Sequence, residues 1–345
     1  MNLNLVSKHR GPIYGFSILW IVIFHAKAID NCDLSFGMES LEYLKWFLAT
    51  GNVGVDIFLF LSGICLYFSF VKQPDYQKFI VKRLKRVVLP SLLVYSLYWL
   101  IRFWVIGGNP VDFFSRMTLM RFWLTGDSVI WFISLILVLY VLYPYIYQAM
   151  FNGTHTLARC LVVIGSVIAV VWMFSVVNPE LFDMVEIAVC RIPVFLIGCA
   201  MGKLVHEKRT ANPVWAFVSI LLFFGSIYLL RNNYIQGTVE FRFVQGICGI
   251  GGTYTLALAA EGVSKLGTIG NKCNELLSKP GDWSLELYCT HIMLNQIYQL
   301  SPLYVDGSIK RYLVVAASAI LLAWLVKKAE DAILKAWDLR KQKSA

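Results

Sequence analysis

The sequence predicts an all-α membrane protein that crosses the bilayer about ten times. Of its 345 residues, 58% are hydrophobic and only 15% are charged. Soluble domains have about 45–50% apolar and about 25% charged residues, so this composition is typical of a polytopic membrane protein. Open β-strands cannot span lipid without leaving backbone groups unpaired, which favours helices for every span.

Ten apolar segments each approach the roughly 20 residues that a helix needs to cross the hydrocarbon core. They lie near residues 12–29, 52–71, 88–106, 128–147, 160–177, 187–204, 214–230, 242–260, 283–300 and 311–326. Residues 1–326 are therefore predicted to form one transmembrane domain. Residues 327–345 read as a short amphipathic helix on the inner membrane surface. The first segment lacks a small-residue cleavage site, so no cleavable signal peptide is expected.

The distribution of basic residues predicts the orientation. Of the 31 Lys and Arg, 21 fall at the N-terminus, in the even-numbered connections or in the C-terminal tail. By the positive-inside rule, both termini then face the cytoplasm. The net charge of +10 forms a rim beside anionic lipid, and nucleic-acid binding is disfavoured because no basic soluble domain is predicted. No Cys or His spacing typical of a metal site occurs, and no metal is expected.

Two ionisable residues lie inside the first two spans, where such groups are expensive and usually functional. His25 follows the apolar run of the first segment, and Asp56 lies near the outer end of the second. They are predicted to share a depth, at which a carboxylate can orient an imidazole that acts as a general base. The alternative interpretation is an interfacial histidine and a helix-capping aspartate.

The segment KRLKR, residues 82–86, precedes the third span. On a helix, Arg83 and Arg86 share a face, and two forked guanidiniums suit the oxygens of a phosphate-bearing cofactor. The alternative is an ordinary cytoplasmic stop signal, and charge alone favours that alternative.

Further polar and aromatic residues in the spans are candidates for lining a substrate passage. Arg191 begins the sixth span on the side where basic residues are rare. It is expected either to pair with a carboxylate such as Glu186 or to line a polar cavity. The ninth span carries a polar stripe that should face the protein interior. The candidates are Trp131, Tyr140, Arg191, Glu286, Tyr288 and His291.

Taken in order, these pieces resemble the membrane acyltransferase-3 family, bacterial enzymes that O-acylate surface carbohydrates. The resemblance covers most of the chain, and the ten-helix core of that family agrees with the hydropathy. It rests on His25, GVDIFLFLSG (residues 54–63), Arg83 and Arg86 followed by Pro90, and the segments WFISLILVLYVLYP, RIPVFLIG and SLELYCTH. One position departs from the family, which usually has an arginine eleven residues before the histidine. Here that residue is Tyr14, and Arg10, one turn further away, is the candidate substitute.

The resemblance implies transfer of an acyl group, commonly acetyl, from cytoplasmic acyl-CoA to a glycan hydroxyl outside the inner membrane of a bacterium. Arg83 and Arg86 would hold the CoA phosphates, Asp56 would orient His25, and His25 would be the base or would itself carry the acyl group. Membrane lipid, acyl-CoA and the glycan are the expected partners, with a homo-oligomer or a glycan-synthesis complex as a further expectation. The alternative function is a transporter or flippase for a glycan-related substrate, in which the same residues line a path without chemistry.

Overall fold

The computed structural model describes residues 2–25, 40–107, 109–232, 235–300 and 309–344. This part of the chain forms a bundle of α-helices joined by short turns. The helices are α1 (Leu5–Lys8), α2 (Arg10–Phe24), α3 (Ser40–Ala49), α4 (Gly54–Lys72), α5 (Tyr76–Ile106), α6 (Pro110–Met117), α7 (Arg121–Thr125), α8 (Trp131–Phe151), α9 (Thr156–Val177), α10 (Pro179–Val189), α11 (Ile192–His206), α12 (Val214–Asn232), α13 (Val239–Ser264), α14 (Thr268–Asp282), α15 (Ser284–Gln299) and α16 (Ile309–Ser344).

Eight stretches of the described chain are long and apolar enough to cross a membrane. They are Tyr43–Lys72, Tyr76–Val105, Ser128–Phe151, Thr156–Val177, Pro179–His206, Val214–Asn232, Val239–Ser264 and Tyr312–Trp337. The predicted all-α, polytopic class is therefore confirmed. The two remaining predicted spans, near 12–29 and 283–300, coincide with the shorter helices α2 and α15, of 15 and 16 residues. Residues 26–29 lie outside the described ranges.

Helix α5 begins well before the predicted third span. The Asp75 carboxylate caps it by accepting a hydrogen bond from the backbone amide of Lys78 at 2.9 Å, which satisfies one of the unpaired donors of the first turn. The helix then runs for 31 residues, with Pro90 inside it. Arg83 and Arg86 consequently lie one turn apart on a span, not in a loop before it.

Helix α4 is the central helix of the bundle and is buried along most of its length. It packs backbone to backbone against α11, because a methyl group at Gly63 would overlap the carbonyl oxygen of Phe195 and one at Gly198 would overlap that of Phe60. On another face it meets α13, where a methyl group at Gly249 would come within 2.6 Å of the Asp56 side chain. Such close approaches are the usual role of glycine between membrane helices.

Helices α2 and α15 run side by side in the same direction. The end of α14, just before α15 begins, lies against the start of α2, since a methyl group at Gly281 would come within 2.6 Å of the Gly11 carbonyl oxygen. Their later turns meet again through His25 and His291. Parallel packing therefore brings two histidines together that are 266 residues apart in sequence.

Helix α16 runs antiparallel to α15 and continues without a break through most of the predicted C-terminal tail. It is one helix of 36 residues. Near its end, Trp337 lies 3.9 Å below the ammonium group of Lys85 in a cation–π contact. The tail therefore packs beside the basic segment of α5 at the end of the bundle where the basic residues collect.

The orientation given by the basic residues predicts labelling at two positions. Cysteine placed at exposed Gln73 should be protected from a membrane-impermeant thiol reagent in intact cells, whereas cysteine at exposed Val111 should react. The measurement is gel-shift labelling before and after permeabilisation, in a background with Cys32 and the exposed Cys273 replaced by serine, because Cys32 falls in the predicted outer connection after the first span. Reaction at position 73 in intact cells would reverse the orientation.

Candidate active site

Two histidine side chains meet inside the bundle. His25 follows the last turn of α2, and its Nδ1 lies 3.0 Å from the carbonyl oxygen of Ile21 and 3.3 Å from Nε2 of His291. His291 is 1% exposed, and its Nδ1 lies 2.8 Å from the carbonyl oxygen of Leu287. Each imidazole is therefore anchored through Nδ1 to the helix that carries it.

These contacts fix the proton positions in both rings. A carbonyl oxygen can only accept, so Nδ1 of His291 carries hydrogen and its Nε2 is left as an acceptor. Nδ1 of His25 then donates to Ile21 O and towards His291 Nε2. With hydrogen on Nδ1, the lone pair of a neutral His25 ring is on Nε2, the kind of atom that a general base needs.

A cavity of about 510 Å³ approaches this pair from the basic end of the bundle. Its lining on α4 runs from Lys72 to Val55, which corresponds to roughly 25 Å along an α-helix. At the basic end the cavity is lined by Arg10, Lys72, Arg83 and Arg86, together with the carboxylate of Asp282. The cavity therefore connects a cationic opening to the middle of an apolar bundle.

Aromatic side chains line the other end of the cavity, next to the histidines. Phe58, Phe132 and Tyr288 line that end. The Phe132 and Tyr288 ring centroids are 5.1 Å apart, and the Tyr288 ring is 5.6 Å from that of His291. Because Tyr288 and His291 are three residues apart on α15, they are about 4.5 Å apart along the helix axis. One aromatic ring thus separates the cavity from the imidazole pair.

The sequence matches the acyltransferase-3 family, described as an acyltransferase domain, over residues 15–328. This chain is a membrane acyltransferase of that family. No curated protein and no solved structure matches it. The matched region includes the histidine pair, Arg83 and Arg86, and it begins after Arg10.

In this acyltransferase, Asp56 does not occupy the place that the sequence analysis gave it. That analysis put its carboxylate beside His25, whereas the structure pairs Asp56 Oδ1 with Nε of Arg191 at 3.2 Å. Both side chains are fully buried, and their contact lacks hydrogen-bond geometry. The orienting contact on His25 comes from His291 instead. The predicted common depth is also wrong. Gly51 lies against the Trp20 carbonyl oxygen and Gly54 against that of Ser17, so Asp56, further along α4, lies beside the middle of α2 and not beside its end at His25.

Arg191 anchors a larger polar network. Its guanidinium donates to the Ile187 carbonyl oxygen at 2.6 Å and to Gln245 Oε1 at 3.1 Å, and its Cζ lies 4.9 Å from the centre of the Trp131 ring. The carboxylate beside Arg191 is therefore that of Asp56. The predicted partner, Glu186, binds Arg242 instead, through two hydrogen bonds of 2.5 and 2.7 Å.

Some of the remaining residues that the sequence predicted to line a passage do line the cavity, and others lie at contacts between helices. Tyr140 lines the cavity with Arg83 and Arg86. Glu286 lies near α16, with Oε1 3.5 Å from Nζ of Lys327, which also contacts Glu330 at 3.2 Å. Trp131 and Glu286 do not line the cavity among the residues described.

Sequence reasoning missed several residues of the cavity and of the network. The sequence analysis treated Lys72 only as one of the basic residues that predict orientation. The cavity is in fact lined by a stripe of α4 residues at helical spacing, namely Ser62, Cys65, Ser69 and Lys72. That polar stripe on an apolar helix was the available signal. Gln245 and Arg242 were also missed, although an amide and a guanidinium near the start of a span indicate buried partners.

Breaking the Asp56–Arg191 pair should destabilise the fold. Asp56→Ala and Arg191→Met each leave one buried charge without its partner, a change that typically costs about 3–5 kcal/mol. Each variant should therefore unfold at a clearly lower temperature in detergent, and the double variant should recover part of the loss. Lys78→Ala, which removes one partner of an exposed pair with Asp75, is the control and should change little. Melting temperatures of both single variants equal to that of the wild type would contradict a stabilising role for the buried pair.

Proposed function

We propose that this acyltransferase moves an acyl group, acetyl in the simplest case, from cytoplasmic acyl-CoA to a hydroxyl of an extracytoplasmic or lipid-linked glycan. The enzyme would lie in the inner membrane of a bacterium, with His25 as the catalytic base. The observation that carries the proposal is the cavity that leads from a cluster of cations towards the His25–His291 pair and ends one aromatic ring short of it.

The cationic end of the cavity suits the phosphates of coenzyme A. Arg83 and Arg86 are joined there by Arg10 and Lys72, which come from two other helices. Nε of Arg83 is buried and has no hydrogen-bond partner in the described part of the chain. Guanidinium groups bind phosphate oxygens through paired, charge-assisted hydrogen bonds, so an anionic ligand would satisfy this donor.

The length of the cavity suits an extended donor. A thioester held by its phosphates at the basic end must reach the middle of the bundle before His25 can assist its reaction. The lining of α4 covers roughly 25 Å, and Tyr288 at the far end is one helical turn from His291. An extended pantetheine arm would place its acyl group beside that ring.

The acceptor would approach from the opposite end of the bundle, where α2 ends at His25. Nε2 of His25 would remove the hydroxyl proton as the oxygen attacks the thioester carbonyl. The carbon–sulfur bond then breaks, and the CoA thiolate recovers the proton from the imidazolium. His291 would keep His25 in the required tautomer through its Nε2, and Asp56 would act at a distance by holding Arg191 and the surrounding helices.

Removing the two arginines should weaken donor binding. Charge-assisted hydrogen bonds contribute about 1.5–3 kcal/mol, so Arg83→Ala or Arg86→Ala should raise the Kd for acetyl-CoA roughly 10- to 100-fold. Titration calorimetry measures this directly. Protection of the half-buried Cys65 thiol by acetyl-CoA against a maleimide adds a location-specific measurement, because Cys65 lines the cavity.

Lys82→Ala is the matched control for this experiment, since it removes a charge from the same helix at an exposed position outside the cavity lining. It should bind acetyl-CoA like the wild type. Lysine at positions 83 and 86 should rescue binding only in part, because a point charge lacks the bidentate geometry. Unchanged affinity in the Arg83→Ala, Arg86→Ala double variant would mean that the two arginines do not bind the donor and act only as positive-inside residues that orient the protein in the membrane.

Removing the base should abolish transfer and spare donor binding. Loss of a positioned general base typically costs about 10²–10⁴ in rate, so His25→Ala should bind acetyl-CoA normally and fail to acylate. His291→Ala should retain more activity, with a loss of about 10- to 100-fold, the usual effect of losing an orienting partner. The measurement is CoA release in proteoliposomes with an acceptor glycan.

His155→Asn, at an exposed turn, is the control histidine replacement and should remain fully active. Near-normal acylation by His25→Ala, at matched expression, would move the chemistry to another residue. Glycan movement across the vesicle membrane without CoA release would support the transporter alternative.

A further inference from the structure

The hydroxyl group of Tyr288 occupies an unusual position in the cavity. The side chain is 4% exposed and lines the cavity at its aromatic end. Within the described part of the chain, the structure gives this hydroxyl no hydrogen-bond partner. Other buried tyrosines near the centre of the bundle do have one, since Tyr98 donates to Gln296 Oε1 and Tyr312 donates to the Val22 carbonyl oxygen.

A hydroxyl that faces a cavity without a protein partner can bond to a ligand there. Tyr95, Tyr143 and Tyr254 have hydroxyl groups without partners too, but these three are buried in the packed core and do not line the cavity. Tyr288 differs because a ligand in the cavity can reach it. Its neighbours at that end are Val55, Phe58 and Phe132, none of which has a polar side chain.

The position of Tyr288 relative to the histidines determines which ligand atom it would meet. Its ring lies between the cavity and His291, 5.6 Å from the His291 ring and nearly perpendicular to it at 79°. His291 in turn contacts His25. A thioester that enters from the cationic end and comes within reach of His25 must therefore pass Tyr288, so its carbonyl group arrives beside the phenol.

We propose that the Tyr288 hydroxyl donates a hydrogen bond to the carbonyl oxygen of the bound acyl thioester and stabilises the oxyanion that forms on it. This inference rests on the proposed function. As the acceptor oxygen bonds to the carbonyl carbon, the π electrons move to the carbonyl oxygen, and the phenol donates to that oxygen without giving up its proton. The electrons return when the carbon–sulfur bond breaks and the CoA thiolate leaves with the proton held by His25.

The test compares Tyr288→Phe with Tyr95→Phe, since both changes remove only a hydroxyl that has no hydrogen-bond partner in the described chain and leave the ring in place. Loss of one oxyanion donor typically lowers kcat by about 10²–10³. Tyr288→Phe should show that loss with an unchanged Kd for acetyl-CoA, and Tyr95→Phe should keep the wild-type kcat and Kd.

A second measurement reports the hydrogen bond itself. The ketone analogue of acetyl-CoA, in which a methylene group separates the sulfur from a ¹³C-labelled carbonyl, binds without reacting. Its carbonyl stretch should shift to lower frequency on binding to wild-type protein and to Tyr95→Phe, and this shift should be absent in Tyr288→Phe. If Tyr288 had only a structural role, its replacement by phenylalanine would not selectively abolish this shift of the carbonyl stretch.

The outcomes separate the two proposals. Wild-type protein that neither binds acetyl-CoA nor releases CoA overturns the proposed function and this inference with it. Active wild-type protein together with a Tyr288→Phe variant that keeps its kcat, or that loses only affinity, overturns the role of Tyr288 alone. An unshifted carbonyl stretch in the wild-type complex has the same consequence.

Discussion

A polar side chain inside a membrane bundle can bond only to the protein or to a ligand, because the surrounding lipid offers no partner. This constraint divides the buried polar residues of the acyltransferase into two groups. Asp56, Arg191 and Gln245 face one another at the contacts between helices, through an ion pair and a hydrogen bond. Arg83 has a buried donor without a partner in the described chain, and Tyr288 has a hydroxyl that faces the cavity. The first group holds the bundle together, and the second is available for chemistry.

Helix α4 connects the two groups, because it presents one to each side. Asp56 faces α11 and α13, where glycines let the backbones approach closely enough for its ion pair to form. Val55, one position before Asp56, and Phe58, two positions after it, line the cavity. A change at Asp56 would therefore shift a wall of the cavity without touching a ligand.

The fold was largely predictable from the sequence, and the side-chain pairings were not. Each predicted span coincides with a helix, because the bilayer thickness demands a long apolar run that composition alone reveals. The rotation of each helix and its choice of neighbours depend on packing between segments far apart in the chain. For that reason the sequence placed His25 and Asp56 together and could not show that His25 would meet His291 and Asp56 would meet Arg191.

Charge balance separates the cavity from the rest of the interior. The packed clusters are close to neutral, since Asp56 faces Arg191 and Glu186 faces Arg242. The basic end of the cavity breaks this pattern, since Arg10, Lys72, Arg83 and Arg86 face the carboxylate of Asp282 among its described lining. Cations that share a low-dielectric opening repel one another unless an anion joins them. A polyanionic ligand such as the proposed donor would therefore stabilise this opening, and the cavity beyond it would direct the uncharged arm of that donor towards the two histidines.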